Sequence, residues 1–165
     1  MKTKRRQLTL FVNKNDSIEI EEVRKKYNLI QFQIIAAHVT LCREDELLNL
    51  KQVIENLEKN DFNKLQMSFE KAIRSSNQKG VLLPAKGFES FQSLRKNVLN
   101  GSIKMPKNLD PHITLLHPRN ASLTDEIFNE ISEYKFPQKI NFSKVSLIEQ
   151  EIDSKWEILR EFDLK

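Results

Sequence analysis

The sequence predicts an α+β domain of two pseudo-symmetric lobes, each an antiparallel sheet with helices packed outside it, and a cleft between the lobes. Three observations predict it. Short alternating apolar segments and longer amphipathic ones follow in the order β-α-β-α-β-β-α-β-α-β-β, without the strict repetition of a parallel βαβ fold. No long or low-complexity linker divides the 165 residues, so one bilobal domain is expected over 1–165. And one tetrapeptide, H-x-T-L, occurs twice: His38-Val39-Thr40-Leu41 and His112-Ile113-Thr114-Leu115.

Residues 7–12 (Q-L-T-L-F-V) alternate and predict a strand. Asn15-Asp16-Ser17 can cap a helix over 18–26. The short apolar segment 34–41 predicts a second strand, carrying the first H-x-T-L. Residues 44–60 have Leu47, Leu48, Leu50, Val53, Ile54 and Leu57 at helical spacing. Glu44, Asp45 and Glu46 at its start and Lys59 at its end suit the helix dipole, so one helix is expected throughout. A strand over 65–73 and a turn at Asn77-Gln78-Lys79-Gly80 lead into a strand over 81–83. A helix over 88–99 ends at Asn100-Gly101. The loop 101–111 precedes the second motif strand, 112–116, which Pro118 stops. Residues 122–134 predict a helix, and 139–148 and 155–164 an antiparallel pair of strands. The recurring unit reads as a motif strand followed by an acid-headed helix: Glu44-Asp45-Glu46 after the first, Thr124-Asp125-Glu126 after the second.

Composition narrows the function classes. Apolar residues at 39% and charged residues at 30% fit a folded globular chain. No apolar run reaches the roughly 18 residues that span a bilayer, and the apolar stretch after the basic N-terminus is too short for a signal-peptide core. No membrane association is expected. The single cysteine, Cys42, permits no intrachain disulfide, which makes the reducing cytoplasm the expected compartment. A net charge of +4 leans towards an anionic partner. A monomer is expected.

The chain has three histidines, and two head the repeated motif. With five Thr and twenty Leu in 165 residues, a given His heads H-x-T-L by chance about once in 270 placements. A single strand histidine beside a threonine is most often structural; two in matched settings point to a duplicated half-site. Strand parity puts His38 and Thr40 on one face and Val39 and Leu41 on the other, and the same holds for His112 and Thr114 against Ile113 and Leu115. The aliphatics then anchor each strand while a shared cleft receives two imidazoles and two hydroxyls. One imidazole can activate a nucleophile and the other protonate a leaving oxygen, with Thr40 and Thr114 donating to non-bridging phosphate oxygens. This chemistry calls for no metal and no cofactor.

The segments A-H-V-T-L-C-R-E-D-E (37–46) and P-H-I-T-L-L-H-P-R-N (111–120), 74 residues apart, resemble the paired H-x-[ST]-x motifs of the 2H phosphoesterase superfamily, which includes the 2′-5′ RNA ligase and cyclic phosphodiesterase proteins. The resemblance covers nearly the whole chain in element order. A proline often precedes the motif histidine in that family; Pro111 does so here, whereas Ala37 precedes His38. The resemblance implies metal-independent phosphodiester chemistry with an RNA end or a small cyclic nucleotide as the partner, and His38 and His112 as the catalytic pair.

Other residues are weaker candidates. Arg43 and Arg119 follow the two motif strands and can hold a phosphate. Lys104 and Lys107, in the loop before the second motif, can form a basic lip, and Trp156 can stack a base or, alternating with Ile158 and Phe162, fill the core. His117 stands at an odd offset from His112, which turns it away from the cleft on a regular strand, while a bend at Pro118 can bring it back; it is left outside the catalytic pair. Cys42, by the same parity, shares the face of His38 and can sit at the cleft edge, but the expected role is that of a small filler. Two other readings compete: an RNA-binding module that keeps the cleft without turnover, and a metalloprotein using the three histidines, for which no ligand spacing is present.

Overall fold

The structure is a computed structural model that describes residues 3–165; Met1 and Lys2, which open the basic N-terminus, lie outside the described residues. The elements run β1 (Lys4–Phe11), α1 (Ile18–Tyr27), α2 (Leu29–Ile34), β2 (His38–Cys42), a 3₁₀ turn (Glu44–Glu46), α3 (Leu50–Lys59), β3 (Leu65–Phe69), β4 (Ile73–Arg74), β5 (Val81–Lys86), α4 (Glu89–Val98), β6 (His112–Leu116), α5 (Asp125–Ser132), β7 (Lys139–Phe142), β8 (Lys144–Glu151) and β9 (Glu157–Asp163).

Among the described residues the strands form one antiparallel nine-stranded sheet in the order β7-β3-β5-β6-β2-β1-β8-β9, with β4 on the side of β5. The four central strands, β5-β6-β2-β1, are arranged symmetrically about the middle of this order. The motif strands β2 and β6 pair with each other, each flanked by the strand that precedes its helix, β1 and β5 respectively. The pseudo-two-fold axis thus passes between Val39 and Ile113, which are register partners. Both are fully buried, as are Leu41 and Leu115, so the aliphatics of the repeat anchor the core as strand parity predicts.

The symmetric unit differs from the one expected. It is strand, helix, motif strand: β1-α1-β2 and β5-α4-β6. The acid-headed segments after the motifs are not equivalent, because Glu44–Glu46 is a single 3₁₀ turn while α5 starts at a Thr124 cap that accepts from the Ile127 N–H. The helix expected over 44–60 is therefore two pieces. Asn49 accepts from the Gln52 N–H and starts α3 afresh, because Glu46 is turned inward to meet Arg95. The strand expected over 139–148 also breaks, at Ser143. Residues 139–142 pair with β3 at one end of the sheet, and 144–151 cross to pair with β1 and β9 at the other. The expected strand over 65–73 divides into β3 and β4, and the strand expected over 34–41 starts only at His38, residue 34 being the last of a helix, α2, that was not expected.

Both motif strands carry a bulge at the motif leucine. One step along β1, from Thr9 to Leu8, corresponds to two along β2, from Thr40 to Cys42. One step along β5, from Leu82 to Val81, corresponds to two along β6, from Thr114 to Leu116. An extra residue reverses side-chain parity beyond it. Cys42 therefore points into the core with Leu116, and both are fully buried: Cys42 has the filler role expected of it, on the face opposite to the one that regular parity gives. Burial pushes its thiol up to about 12, which leaves it inert as a nucleophile at neutral pH.

Candidate functional site

Beyond the bulges the reversed parity brings the residue five places after each motif histidine back to the cleft face. These are Arg43 and His117. Together with His38, Thr40, His112 and Thr114 they line a cavity of about 700 Å³. The antiparallel register counted outward from Val39 and Ile113 sets His38 across from Thr114 and Thr40 across from His112. The two histidines are then diagonal neighbours on one face, a relationship that spans about 7–8 Å.

The two imidazoles are held alike. His38 Nδ1 lies 2.8 Å from the Ala36 carbonyl oxygen, and His112 Nδ1 lies 2.9 Å from that of Asp110, each acceptor two residues before its histidine. A carbonyl oxygen only accepts, so each Nδ1 carries a proton, and Nε2 of each ring is the nitrogen left for substrate. The rings differ in surroundings. Phe11 meets His38 edge-on at 6.1 Å between centroids, and burial, with the nearby Arg24 guanidinium adding, pushes the His38 imidazole down to about 4. His38 is neutral at physiological pH.

His117 has the opposite tautomer. The Arg119 N–H donates to its Nδ1 at 3.1 Å, so the neutral ring carries its proton on Nε2. Burial, then the positive charges of Arg119 and Arg5, lower its pKa from the usual histidine value. Regular strand parity turns this residue away and a bend at Pro118 was the expected route back; the bulge shared with the first motif is what returns it. Thr40 Oγ1 accepts from Gln7 Nε2 at 3.1 Å, which leaves its own proton free to donate.

Each motif strand's exit is clamped by the helix of the other half. Arg95 on α4, almost fully buried, donates to the Leu41 carbonyl at the first bulge at 2.5 Å and to both carboxylate oxygens of Glu46 at 2.9 and 2.6 Å. It also holds the Lys107 carbonyl at 2.8 Å. Asn28, which caps α1, accepts from the His117 N–H at 2.7 Å and donates to Asn120 Oδ1 at 2.8 Å. Arg24, buried beneath the cleft, donates to the Ile35 carbonyl at 2.7 Å and so fixes the segment that enters β2.

Of the other sequence candidates, Arg119 and Trp156 line the cavity, whereas Lys104 and Lys107 are exposed in the 101–111 loop and outside its lining. The Arg5 guanidinium sits 5.0 Å from the Trp156 ring centroid. Trp156 does not share a core face with Ile158 and Phe162. A further bulge, where Leu147 pairs with Arg160 but Ile148 with Ile158, reverses parity along β9 and leaves Ile158 exposed. The lining holds four arginines (Arg5, Arg24, Arg43, Arg119) and two aspartates (Asp110, Asp153), so its field is positive and suits an anion. Among the described residues no group of three or more His, Cys, Asp or Glu is placed to hold a metal ion, and no helix is long and apolar enough to cross a membrane.

Neither a known family model nor a curated protein sequence matches the chain. Solved structures do. The crystal structure of E. coli LigT complexed with phosphate aligns with a TM-score of 0.66 over 98% of both chains at 15% sequence identity. The chain has the LigT fold. The structure of E. coli LigT complexed with 3'-AMP gives 0.69 over 98% of both chains at 15% identity, and that of a phosphoesterase 0.70 over 98% of this chain and 99% of the other at 14% identity. The antiparallel α+β architecture expected from the element order is thus the fold found. At such identity the LigT fold is shared while most side chains are not, so what the cleft does rests on its own residues.

Proposed function

We propose that this chain is a phosphoesterase of the 2H type. It acts without a metal on 2′,3′-cyclic phosphate ends or 2′-5′ linkages of RNA or nucleotides, by paired-histidine acid–base catalysis. The observation that carries the reading is the matched pair of imidazoles, each with Nδ1 tied to the carbonyl two residues back and Nε2 left for substrate, in one positive cleft. The LigT neighbours support it: that protein, a 2'-5' RNA ligase, has been crystallised with phosphate and with 3'-AMP.

For a cyclic phosphate the step is a hydrolysis. A water oxygen attacks phosphorus while His38 Nε2, neutral because of its low pKa, takes the water proton. The bond from phosphorus to one ribose oxygen breaks, and His112, protonated on Nε2, gives that oxygen its proton. Thr40, Thr114, Arg43 and the His117 Nε2–H donate to the non-bridging oxygens as charge gathers on them. Arg119 adds positive charge, and Trp156, at the cleft wall, offers a face to the base.

The test is a screen of 2′,3′-cyclic nucleotides and cyclic-phosphate-ended oligonucleotides against the wild type, His38→Ala and His112→Ala. Each substitution should cost 10²-fold or more in kcat with the circular dichroism spectrum unchanged. Full activity in either variant would overturn the assignment. Tight binding of RNA by a wild type that turns over nothing would make the cleft a binding module.

A further inference from the structure

A second cavity, of about 960 Å³, opens where the ends of β3 and β5 meet the chain leading from α5 into β7. Its position relative to the cleft follows from strand register. Val81 and Leu83 are buried, so Leu82, Pro84 and Lys86 project from the other face of β5. Pro84 is the partner of His112, which makes that the cleft face. Lys86 is in turn paired with Ser68, and Ser68 with Lys139. Paired residues share a face. Lys86, Ser68 and Lys139 therefore form a row across three strands on the surface that carries His112. Lys86 stands diagonal to His112, about 7–8 Å away, and Lys139 lies about 10 Å beyond it at the usual strand spacing.

Lys71 and Lys135 join Lys86 and Lys139 in lining the second cavity. All four are exposed, and among the described residues none is held in an ion pair. Glu70 is the one acidic residue of the lining. The same wall carries Tyr134 and Phe136, stacked with centroids 6.1 Å apart and planes at 17°. Unpaired cations spaced along a groove, beside aromatic rings, match a single nucleic-acid strand: lysines track the phosphates and the rings take bases. A mononucleotide would use the first cavity, with Lys139 about 10 Å beyond Lys86, the nearest lysine of the second. A strand whose reacting end sits between His38 and His112 would extend to the second.

We infer that this groove is a binding site for single-stranded RNA, which receives the body of an oligonucleotide whose terminal phosphoester occupies the cleft. The inference rests on the reading of the cleft given above, and the experiment separates the two. The variant Lys71→Ala/Lys86→Ala/Lys135→Ala/Lys139→Ala changes exposed side chains alone. Two measurements are made on it and on the wild type. The first is fluorescence anisotropy with a labelled eight-nucleotide single-stranded RNA, with poly-glutamate as an anionic control. The second is kcat/KM for a cyclic mononucleotide and for an oligonucleotide ending in cyclic phosphate.

The expected result is a 10- to 100-fold weaker RNA affinity in the variant. The slope of log K against log salt should flatten by about 0.7 for each phosphate that no longer meets a lysine. Turnover of the oligonucleotide should fall in step, while that of the mononucleotide changes less than twofold. RNA affinity equal in the two proteins, no RNA binding by the wild type, or equal capture of poly-glutamate would each overturn the groove assignment. If RNA binding drops as expected but neither protein turns over either substrate, the groove stands and the catalytic reading of the cleft fails.

Discussion

Val39 and Ile113 face each other across the central strand pair, and each is the residue directly between the histidine and threonine of its motif. The contact fixes the site, because the register it sets decides which histidine stands diagonal to which. Both side chains are fully buried. Replacing Ile113 with alanine removes packing at the axis itself and should cost about 2–5 kcal/mol of stability, read as a lower urea midpoint. Under native conditions the variant should also lose activity, since small displacements of paired catalytic groups are costly. A stable variant with full activity would separate the register from the chemistry.

The pH dependence follows from His38. Its pKa is pushed down to about 4, so the ring is a free base throughout the range in which an ordinary histidine titrates. A general base must be deprotonated to act. The acid limb of kcat/KM should therefore fall near pH 4, rather than near the reference value of about 6.5. The sign for stability is the same. A folded-state pKa below the unfolded one means that the unfolded chain binds more protons between pH 4 and 6.5. The His38 contribution is complete above about 6.5 and is lost as pH falls towards 4. Profiles of wild type and His38→Gln, with folding followed by fluorescence, check both. An acid limb near 6.5 that belongs to His38 would contradict the burial argument.

Most of the strands, most of the helices and the motif pair were legible in the sequence because period-two alternation and capping are local. The bulges were not. Leu41 and Leu115 look like ordinary strand residues, and nothing local announces that each adds one position to its strand. Parity therefore sent His117 away from the cleft and Cys42 towards it, and the bulge reverses both. Trp156 was ambiguous for the same reason, because the break in β9 pairing lies between it and Phe162. The single long strand read over 139–148 failed because an apolar run does not record which partner each half meets. The helix read over 44–60 failed because Glu46 belongs to an ion pair with Arg95, 49 residues away, and not to a helix surface.

That ion pair should be costly to break. Arg95 satisfies Glu46, the Leu41 carbonyl and the Lys107 carbonyl together. Arg95→Met leaves a nearly buried carboxylate and two carbonyls without their donor, a loss of about 3–5 kcal/mol. Burial alone would raise the Glu46 pKa, but the Arg95 hydrogen bonds and the Arg43 N–H outweigh it and hold the carboxyl below its usual value. The pair's stabilisation is thus present above the unfolded carboxylate pKa and lost as pH falls through the folded one. Urea unfolding of Arg95→Met and Glu46→Gln at pH 7 and at pH 4 gives the measurement. The difference between wild type and either variant should shrink at the lower pH.

Activity should survive exhaustive chelation. The two imidazoles supply acid and base, and the hydroxyls, Arg43 and His117 supply donors for the phosphate oxygens, so each role in the proposed step has a side chain. An assay after treatment with excess chelator, and again after adding Mg²⁺, Mn²⁺ or Zn²⁺, tests this. Loss on chelation with recovery on one of those ions would remove the two-histidine mechanism.

His117 distinguishes this cleft from a simple two-histidine site. The Arg119 N–H occupies its Nδ1, which fixes Nε2 as a donor in the neutral ring. The Nδ1 atoms of His38 and His112 hold a proton instead, so in the neutral form of either ring Nε2 is the acceptor, and His112 acts as the acid once Nε2 has taken up a proton. A donor that stays neutral is suited to hold a phosphate oxygen, and its lowered pKa keeps it neutral. A hydrogen bond to a charged oxygen is worth about 1.5–3 kcal/mol, so His117→Ala should lower kcat/KM by about 10- to 100-fold. His117→Gln restores an N–H donor of similar reach and should recover most of that loss, whereas a glutamine at His38 or His112 should recover none. Because donation rather than proton transfer is at stake, the acid limb of the pH profile should stay where His38 sets it in both His117 variants. A displaced acid limb, or a glutamine no better than alanine, would make His117 a participant in proton transfer instead of a phosphate contact.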